Sequence, residues 1–357
     1  MIRGKFAIVS KGAKTAIALC VVVAVIAFAA KSYLATGATP TQPAEGEYRV
    51  ATYNLGWLLD ESSEARYRSL SKVVESLQPD VLAVQEVESK QALLRILPSG
   101  YEVAIADDPK EDQELGLAVR SPFRILDHEV LFANRRYDYA FPGRRNVLAV
   151  EIAAPSGETI HIYVVHYKSR GGGRTESDDA RIEASRLLLD HIQKNKRKRF
   201  IVLGDFNDTP GDDSLNILES GDPLGGRSEQ EIGEYLVNLQ QPLYRDDFVT
   251  QGFFRKFRGS ETKPVVRGAA EDNDRLRGTH YTFPADVKVT EALFDQILVA
   301  AKLHPSVSET AIYAGADALT GKLESIDRNR EGGAYVRRQG SLPSDHLPVY
   351  ADIRFGR

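Results

Sequence analysis

The sequence predicts an α/β fold in which helices cover sheets built from neighbouring strands. Short runs of β-branched and apolar residues recur from residue 49 to residue 353, and two stretches of helical periodicity lie among them. Several runs follow one another directly, as hairpin-connected strands do. This order favours a layered α/β sandwich over a parallel Rossmann sheet.

The apolar runs predict strands, in chain order, at residues 49–53, 81–85, 115–119, 148–152, 160–165, 200–203, 292–299 and 349–353. A helix is predicted between the first two strands, because Ser62 or Ser63 can cap it and Pro79 stops it. Its apolar positions are Tyr67, Leu70, Val73 or Val74, and Leu77. A second helix is predicted at 178–194. Its apolar face carries Ala184, Leu187, Leu188 and Ile192.

Two polar segments, 211–278 and 320–343, show neither the helical nor the strand period. Segments of this length inside a domain are usually functional loops or disordered excursions. Both lie between the polar motifs described below. We therefore expect them to shape the access of a substrate.

Residues 1–35 are predicted to be a signal peptide or a signal anchor. Basic residues precede an apolar stretch at 16–30, which is shorter than the roughly 20 residues of a full membrane span. Membrane attachment through residues 16–30 is the alternative to cleavage. Residues 36–47, rich in Thr, Pro and Gly, are predicted to be a flexible linker before a folded domain at 48–357. The positive flank predicts an exported chain, either secreted, periplasmic or tethered to the outer face of the cytoplasmic membrane.

The composition restricts the kinds of partner and metal site. A formal net charge of −4 argues against bulk electrostatic coating of polyanions, although a local basic groove can still bind phosphate. Cys20 is the only cysteine, so the chain can form neither an intrachain disulfide nor a thiolate zinc cluster. Any metal must be held by oxygen or imidazole. We expect a monomer.

Polar side chains border the apolar runs. Asp205 and Asn207 follow the run 200–203 and lie two residues apart, on one face of the backbone. Comparable positions are taken by Asn54, Glu86, His166, Lys168, Asp295, Asp345 and His346. Each alone is more commonly a turn residue, a surface carboxylate, a cap or a structural histidine. Together, unpaired carboxylates crowded at one buried edge would be strongly destabilising without a cation or a hydrogen-bond network.

These residues resemble those of the endonuclease/exonuclease/phosphatase superfamily. The shared motifs, in chain order, are Asn54, Gln85-Glu86, His166, Gly204-Asp205-Phe206-Asn207, Asp295 and Ser344-Asp345-His346-Leu347-Pro348. The resemblance covers roughly residues 48–357. It implies the DNase-I-like fold, a four-layer α/β sandwich of two mainly antiparallel sheets flanked by helices. It also implies hydrolysis of a phosphoester with Mg²⁺, or with Mn²⁺ or Ca²⁺ in its place.

The resemblance implies a role for each matched residue. Glu86 would bind the metal with Asn54 nearby, and Asp345 would assist. Asp205 would orient or deprotonate the attacking water, while Asn207 would hold the phosphate. His346, polarised by Asp295, would donate to the phosphate, and His166 would hold a nonbridging oxygen or protonate the leaving group.

The segment after His166 resembles the exported bacterial nuclease branch of the superfamily, in which a His-x-Lys-Ser run precedes a helix bearing an arginine. Lys168, Arg170 and Arg181 are therefore predicted to bind substrate phosphates, and Arg145 is a similar case. The alternative for these cations is a solvated loop.

The leading hypothesis is an exported, Mg²⁺-dependent phosphodiesterase, a nuclease acting on DNA or RNA. One alternative is a sphingomyelinase-like enzyme that cleaves phospholipid or small-molecule phosphoesters. Another is a noncatalytic binding module. The last is disfavoured, because an inactive relative would not be expected to carry the whole set Glu86, Asp205, Asn207, Asp295 and His346.

Overall fold

A computed structural model describes the protein at residues 40–106, 112–144, 146–170, 174–224, 235–246, 248–251, 254–257, 261–264, 292–321 and 340–356. The predicted signal segment 1–35, with its apolar stretch 16–30, lies outside the described residues, as does Arg145. Among the helices of the described ranges, none is long and apolar enough to cross a membrane.

The described residues form strands and helices in frequent alternation. The strands are β1 (Glu47–Leu58), β2 (Val81–Val87), β3 (Tyr101–Ile105), β4 (Glu114–Arg120), β5 (Arg124–Leu131), β6 (Val147–Ala153), β7 (Thr159–His166), β8 (Phe200–Asp205), β9 (Leu236–Asn238), β10 (Phe254–Phe257), β11 (Glu261–Pro264), β12 (Asp295–Ala300), β13 (Val307–Ile312) and β14 (Val349–Arg354). The α-helices are α1 (Glu64–Leu77), α2 (Lys90–Ile96), α3 (Arg174–Lys194), α4 (Asp213–Ser220) and α5 (Gln241–Arg245). Short 3₁₀ helices cover Arg135–Tyr137, Pro142–Arg144 and His304–Ser306.

Twelve of these strands form two six-stranded sheets. The first has the order β13-β14-β1-β2-β4-β3 and the second β5-β6-β7-β8-β12-β9. In each sheet the central pair, β1 with β2 and β7 with β8, is parallel, and the other pairings are antiparallel. Helix α2 contacts β2 and β3 on one side, and α4 contacts β9 on the other. The expected sandwich of two mainly antiparallel sheets flanked by helices is confirmed.

The core lies between the sheets, where β1 contacts β8 and β12. The strands inside each sheet are buried along nearly their whole length, and buried central strands read as continuous apolar runs. All eight predicted strands are interior strands of the two sheets. The four edge strands were missed, and β5 shows why, since most of its residues are exposed and half of them are polar.

Besides small differences in strand length, the structure differs from the prediction at the start of two elements and in one long segment. Strand β1 begins at Glu47, and the carbonyl of Thr41 accepts a hydrogen bond from Arg49, so the end of the predicted linker contacts the domain. Helix α3 begins at Arg174, before the predicted start. The segment 211–278, whose sequence shows no clear pattern, contains α4, β9, α5, β10 and β11 in its described parts, and these elements are too short to show a clear period.

Candidate active site

The predicted polar residues meet at one end of the two sheets. Because β1 and β2 are parallel, as are β7 and β8, each pair brings its carboxyl ends together. Asn54 and Glu86 lie near two of these ends, and His166 and Asp205 pair with each other at the other two. Asp295, the first residue of β12, is the antiparallel partner of Asp205. The topology therefore places residues distant in sequence around one edge.

The backbone is irregular where two of these side chains leave it. The ladder between β2 and β4 shifts register between Val84 and Val87, and Glu86 within this irregularity has a φ of 59°. Asn207 has a φ of 51°. Left-handed backbone is uncommon for residues other than glycine, and it concentrates where a fold must aim a functional side chain. Both residues belong to the predicted site.

Gly204 allows β8 to approach β7 just before Asp205. Its φ is +145°, and a Cβ atom there would lie 2.0 Å from the carbonyl oxygen of Val165. Any side chain would therefore push the two strands apart. The glycine of the Gly-Asp-Phe-Asn motif is required by this backbone contact, which sets the position of Asp205.

Asn54 joins the two halves of the site through its amide nitrogen. Nδ2 donates to Oδ2 of Asp205 at 3.0 Å and to Oε1 of Glu86 at 3.2 Å. The amide oxygen Oδ1 accepts from the backbone N–H of Gly56 at 2.9 Å, which fixes the orientation of the group. Asn54 was predicted to stand at the metal as a ligand. That role stays a prediction, because Oδ1 accepts one hydrogen bond and keeps a second lone pair, while Nδ2 faces the carboxylates of Asp205 and Glu86.

Asp205 is the centre of the hydrogen-bond network. Its Oδ1 accepts from the backbone N–H of Asn207 at 2.8 Å, and its Oδ2 accepts from Nδ2 of Asn207 at 3.2 Å. Burial raises the pKa of Asp205 to about 7, an effect that His346 opposes and that the charges of Asp295 and Glu86 increase. A carboxylate with a pKa near neutrality can accept a proton under ordinary conditions.

His346 and Asp295 form a buried pair opposite Asp205. Nδ1 of His346 lies 2.9 Å from Oδ2 of Asp295, while Nε2 lies 3.9 Å from Oδ2 of Asp205. Thr250 Oγ1 accepts from the backbone N–H of Asp295 at 3.2 Å and so holds its position. Burial lowers the pKa of His346, but the charge and hydrogen bond of Asp295 outweigh it and raise the pKa to about 10. The imidazolium keeps its proton at neutral pH.

His166 lies between the two nearest carboxylates. Its Nε2 is 3.6 Å from Oδ2 of Asp205 and 3.7 Å from Oε1 of Glu86. The ring is almost fully buried at the end of β7. The structure thus brings together Glu86, His166, Asp205, Asp295 and His346, which we call the site cluster.

The donors of the site cluster suit a hard divalent cation. Within the described part of the chain, no lysine or arginine forms an ion pair with Glu86, Asp205 or Asp295, and only 12% of the Glu86 side chain is exposed. No group of three or more His, Cys, Asp or Glu side chains in that part is arranged as a metal site. Mg²⁺ commonly takes only one or two carboxylates from a protein, and Glu86 and Asp345, whose charges both act on Arg66, supply that number.

Sequence reasoning missed two residues that hold the site together. Ser344 Oγ donates to the carbonyl of Asn54 at 2.7 Å and accepts from the backbone N–H of His346 at 3.0 Å. Arg66 is buried in α1, and burial lowers its pKa to about 10 against the opposing charges of Asp345 and Glu86. The sequence contains a signal for Arg66, since it stands four residues before Leu70 on the apolar face of the helix.

Two of the predicted phosphate-binding arginines are buried in ion pairs with the protein itself. Arg170 Nη2 lies 2.9 Å from Oδ1 of Asp208 and 2.7 Å from Oδ2 of Asp212. Arg181 Nε lies 2.7 Å from the same Oδ1 of Asp208. We call Arg170, Arg181, Asp208 and Asp212 the support cluster. The predicted phosphate contacts of Arg170 and Arg181 are therefore corrected, because buried guanidinium groups with carboxylate partners do not face a substrate.

The support cluster does act on the site through the backbone. Arg170 Nε donates to the carbonyl of Asn207 at 2.8 Å, and Arg181 Nη1 donates to the carbonyl of Lys168 at 2.8 Å. The arginines thus fix the two loops that follow β7 and β8. Lys168 is half-buried on the first of these loops.

The fold is similar to those of several solved structures. D. rerio TDP2 complexed with single strand DNA product has a TM-score of 0.53 at 18% identity, covering 87% of this chain and 99% of that one. The human Nocturnin catalytic domain with bound sulfate anion has a TM-score of 0.51 at 17% identity, covering 88% and 97%. An endonuclease/exonuclease/phosphatase family protein from Bacteroides thetaiotaomicron has a TM-score of 0.52 at 16% identity, covering 89% and 100%. At these identities the likeness shows the fold alone.

A search of curated proteins gave no match to this sequence. The match to the Endonuclease/Exonuclease/phosphatase family extends over residues 51–346, which is most of the chain and spans every residue of the site cluster. Enzymes of this family usually use divalent metal ions. The chain therefore belongs to the Endonuclease/Exonuclease/phosphatase family and is a metal-dependent phosphoester hydrolase.

Proposed function

We propose that this protein is an exported, divalent-metal-dependent phosphodiesterase that cleaves nucleic acid. The observation that carries the proposal is the pairing of a proton acceptor with a proton donor in one buried site. Asp205, with a pKa near 7, lies 3.9 Å from Nε2 of His346, whose pKa is near 10. A carboxylate that can accept a proton near neutral pH thus faces an imidazolium that can donate one, and this pairing suits general acid–base hydrolysis of a phosphoester.

In this proposal Asp205 orients the attacking water and takes its proton. Asn207 lies beside it, and its Nδ2, which donates to Asp205 and to the carbonyl of Tyr167, would exchange one of these hydrogen bonds for a phosphate oxygen. His346 donates from Nε2 to a phosphoryl oxygen as negative charge develops there, while Asp295 stabilises the imidazolium through Nδ1. His166 holds a nonbridging oxygen or protonates the leaving oxygen.

Glu86 and Asp345 are the proposed ligands of Mg²⁺. The bound ion supplies Lewis-acid polarisation of the phosphoryl oxygen and neutralises charge on the phosphate. Asn54 donates to the carboxylate of Glu86 and thereby orients it toward the same side of the site as Asp205. With only these two carboxylates from the chain, the ion would keep coordination positions for water and substrate oxygens.

Among phosphodiesters, we favour nucleic acid as the substrate. A similarly folded protein, D. rerio TDP2, was solved with a single-stranded DNA product. Of the four cations predicted to bind phosphate, Arg170 and Arg181 are held in ion pairs, and Arg145 lies outside the described residues. The fourth, Lys168, lies two residues after the site histidine of β7. The proposal also retains export, from the basic and apolar pattern of residues 1–35.

The test is hydrolysis by the purified protein of plasmid DNA, single-stranded RNA, sphingomyelin and bis(p-nitrophenyl) phosphate, each with Mg²⁺ and with EDTA. We expect EDTA-sensitive cleavage of DNA or RNA, and loss of that cleavage in Glu86→Gln. If only sphingomyelin were hydrolysed, the proposed nucleic-acid substrate would be wrong and the substrate would be a phospholipid. Export is tested separately, by fractionating cells that express the full chain, and its retention in the cytoplasm would refute that part.

A further inference from the structure

Arg66 joins two loops of the active site that are far apart in sequence. Its guanidinium group donates to three consecutive carbonyls in the irregular end of β1, residues 54–57, which we call the Asn54 loop. These are the carbonyls of Leu55, Gly56 (2.7 Å) and Trp57 (2.7 Å). It also donates from Nε and Nη2 to the carbonyl of Pro343, each at 3.3 Å. The first loop carries Asn54, and the second leads into Asp345 and His346.

The backbone of the first loop is turned toward the guanidinium group. Gly56 has a φ of 59° and Trp57 a φ of 61°, and the ladder between β1 and β2 shifts register in this stretch. Two successive residues in left-handed backbone are unusual, and the second is not a glycine. The carbonyls exposed by this turn would lack partners in a buried region without a donor of several hydrogen bonds.

The first loop carries Asn54, which orients the proposed ligand Glu86, and the second loop carries the proposed ligand Asp345. Asn54 donates to Glu86, and its oxygen is fixed by the N–H of Gly56, whose carbonyl is held by Arg66. On the other side, Pro343 is two residues from Asp345. Arg66 therefore holds the backbone on both sides of the proposed metal site, and its hydrogen bonds to these two segments go to carbonyl oxygens rather than to the carboxylates.

We propose that Arg66 is a positioning residue that sets the affinity of the enzyme for its divalent cation by holding the Asn54 loop and the Asp345 loop at a fixed separation. This inference rests on the proposed function, because it takes Glu86 and Asp345 as the ligands. Groups that orient metal ligands typically change metal affinity by about 10–100-fold when they are replaced. The fork of a guanidinium group satisfies carbonyls in several directions, whereas an ammonium group cannot do so at the same distances.

Arg49 provides a matched control in the same protein. It is likewise buried, lies in β1, and donates to the carbonyls of Leu77 and Thr41 while pairing with Asp352 at 2.7 Å. It stands at the start of the strand, whereas the site is at the other end. Loss of either guanidinium group removes several buried hydrogen bonds, but only Arg66 contacts the loops of the site.

The experiment titrates the full chain and its variants Arg66→Lys and Arg49→Lys with Mn²⁺, measuring free Mn²⁺ by electron paramagnetic resonance without substrate. We expect Arg66→Lys to weaken Mn²⁺ binding about tenfold or more, whereas Arg49→Lys binds as the unaltered chain does. With substrate, Arg66→Lys should raise the Mg²⁺ concentration for half-maximal rate by a similar factor and change kcat at saturating Mg²⁺ by less than about threefold.

Equal Mn²⁺ affinity in the two lysine variants would overturn the proposal for Arg66 and leave the proposed function standing. Absence of Mn²⁺ binding by the unaltered chain would overturn both. Should Arg66→Lys fail to fold, amide exchange in the unaltered chain decides the matter. Residues 55–57 and 344–346 should be protected together when Mg²⁺ is added, and protection of one loop alone would refute the coupling.

Discussion

The site cluster and the support cluster are both buried and ionic, and they lie next to each other at the ends of β7 and β8, yet their charges are balanced differently. In the support cluster, Asp208 and Asp212 are paired with the guanidinium groups of Arg170 and Arg181. The carboxylates of the site cluster have only histidines as basic partners within the described residues. A cluster whose charges are matched internally serves the fold, and one with excess carboxylate is suited to a cation and a proton transfer.

The largest expected effect is on catalysis, from Asp205→Asn in the site cluster. Removing the proposed base should lower kcat by about 10³-fold, since general base catalysis contributes roughly 10²–10⁴. Stability should not fall with it. Burial raises the pKa of Asp205 above that of the unfolded chain, so its ionisation destabilises the fold as pH rises toward about 7.

The measurement for Asp205→Asn combines kcat with urea denaturation in EDTA at about pH 5 and about pH 8. The variant should lose less stability between these values than the unaltered chain does, because asparagine does not ionise. If the free energy of unfolding fell by as much as the activation free energy rose, the site cluster, like the support cluster, would serve the fold.

Asp208→Asn should produce the opposite result in the support cluster. Asp208 pairs with Arg170 and Arg181 and accepts from Ser214, so the substitution leaves two buried guanidinium groups without their shared carboxylate. We expect the free energy of unfolding to fall by about 3–5 kcal/mol. Urea denaturation measures this, with Asp178→Asn as the control, since Asp178 pairs with the same Arg181 from a partly exposed position. Losses of equal size in the two variants would contradict the assignment.

The two clusters also differ in how far the sequence could predict them. The site cluster could be predicted because its members lie at or beside the ends of apolar interior strands, and all eight interior strands were predicted. Whether an arginine is buried depends on partners elsewhere in the chain, so Arg170 and Arg181 were interpreted as substrate contacts. Likewise, the amide orientation of Asn54 follows from the N–H of Gly56, which only the folded backbone positions.

The edge strands of the fold escaped prediction for a related physical reason. β5 lies at the edge of its sheet, and its consecutive residues Asp127, His128 and Glu129 are exposed, so neither face is fully covered there. Without burial on both faces, an edge strand needs no apolar run. The sequence therefore predicts the strands that are buried on both faces. It does not predict the edge strands, whose place is set by pairing with a strand distant in sequence.

A smaller effect on rate is expected from Asp295→Asn. The charge of Asp295 is what keeps the pKa of buried His346 near 10, so its loss should let burial lower that pKa. The proton on His346 would then be lost at lower pH. We expect kcat to fall about 10²-fold at neutral pH, and the alkaline limb of the pH–rate profile to move to lower pH by at least about one unit. An unchanged alkaline limb would show that His346 is not the proton donor.

The smallest effect tests whether the support cluster tolerates the loss of a neutral partner. Ser214 Oγ donates to Oδ2 of Asp208 at 2.6 Å, while both arginines reach the other oxygen. Ser214→Ala removes one hydrogen bond to a charged acceptor and keeps both ion pairs. The free energy of unfolding should fall by about 1.5–3 kcal/mol, less than for Asp208→Asn, with kcat unchanged.

Urea denaturation of Ser214→Ala and Asp208→Asn under the same conditions makes that comparison direct. If the two variants lost equal stability, the hydrogen bond of Ser214 would account for the whole contribution of Asp208, and the ion pairs would contribute nothing net. If kcat fell with stability, the support cluster would also control the chemistry. A charge-balanced structural cluster requires that Ser214→Ala lose less free energy of unfolding than Asp208→Asn and keep its kcat. The reason is that Arg170 and Arg181 still neutralise the carboxylate of Asp208 in Ser214→Ala.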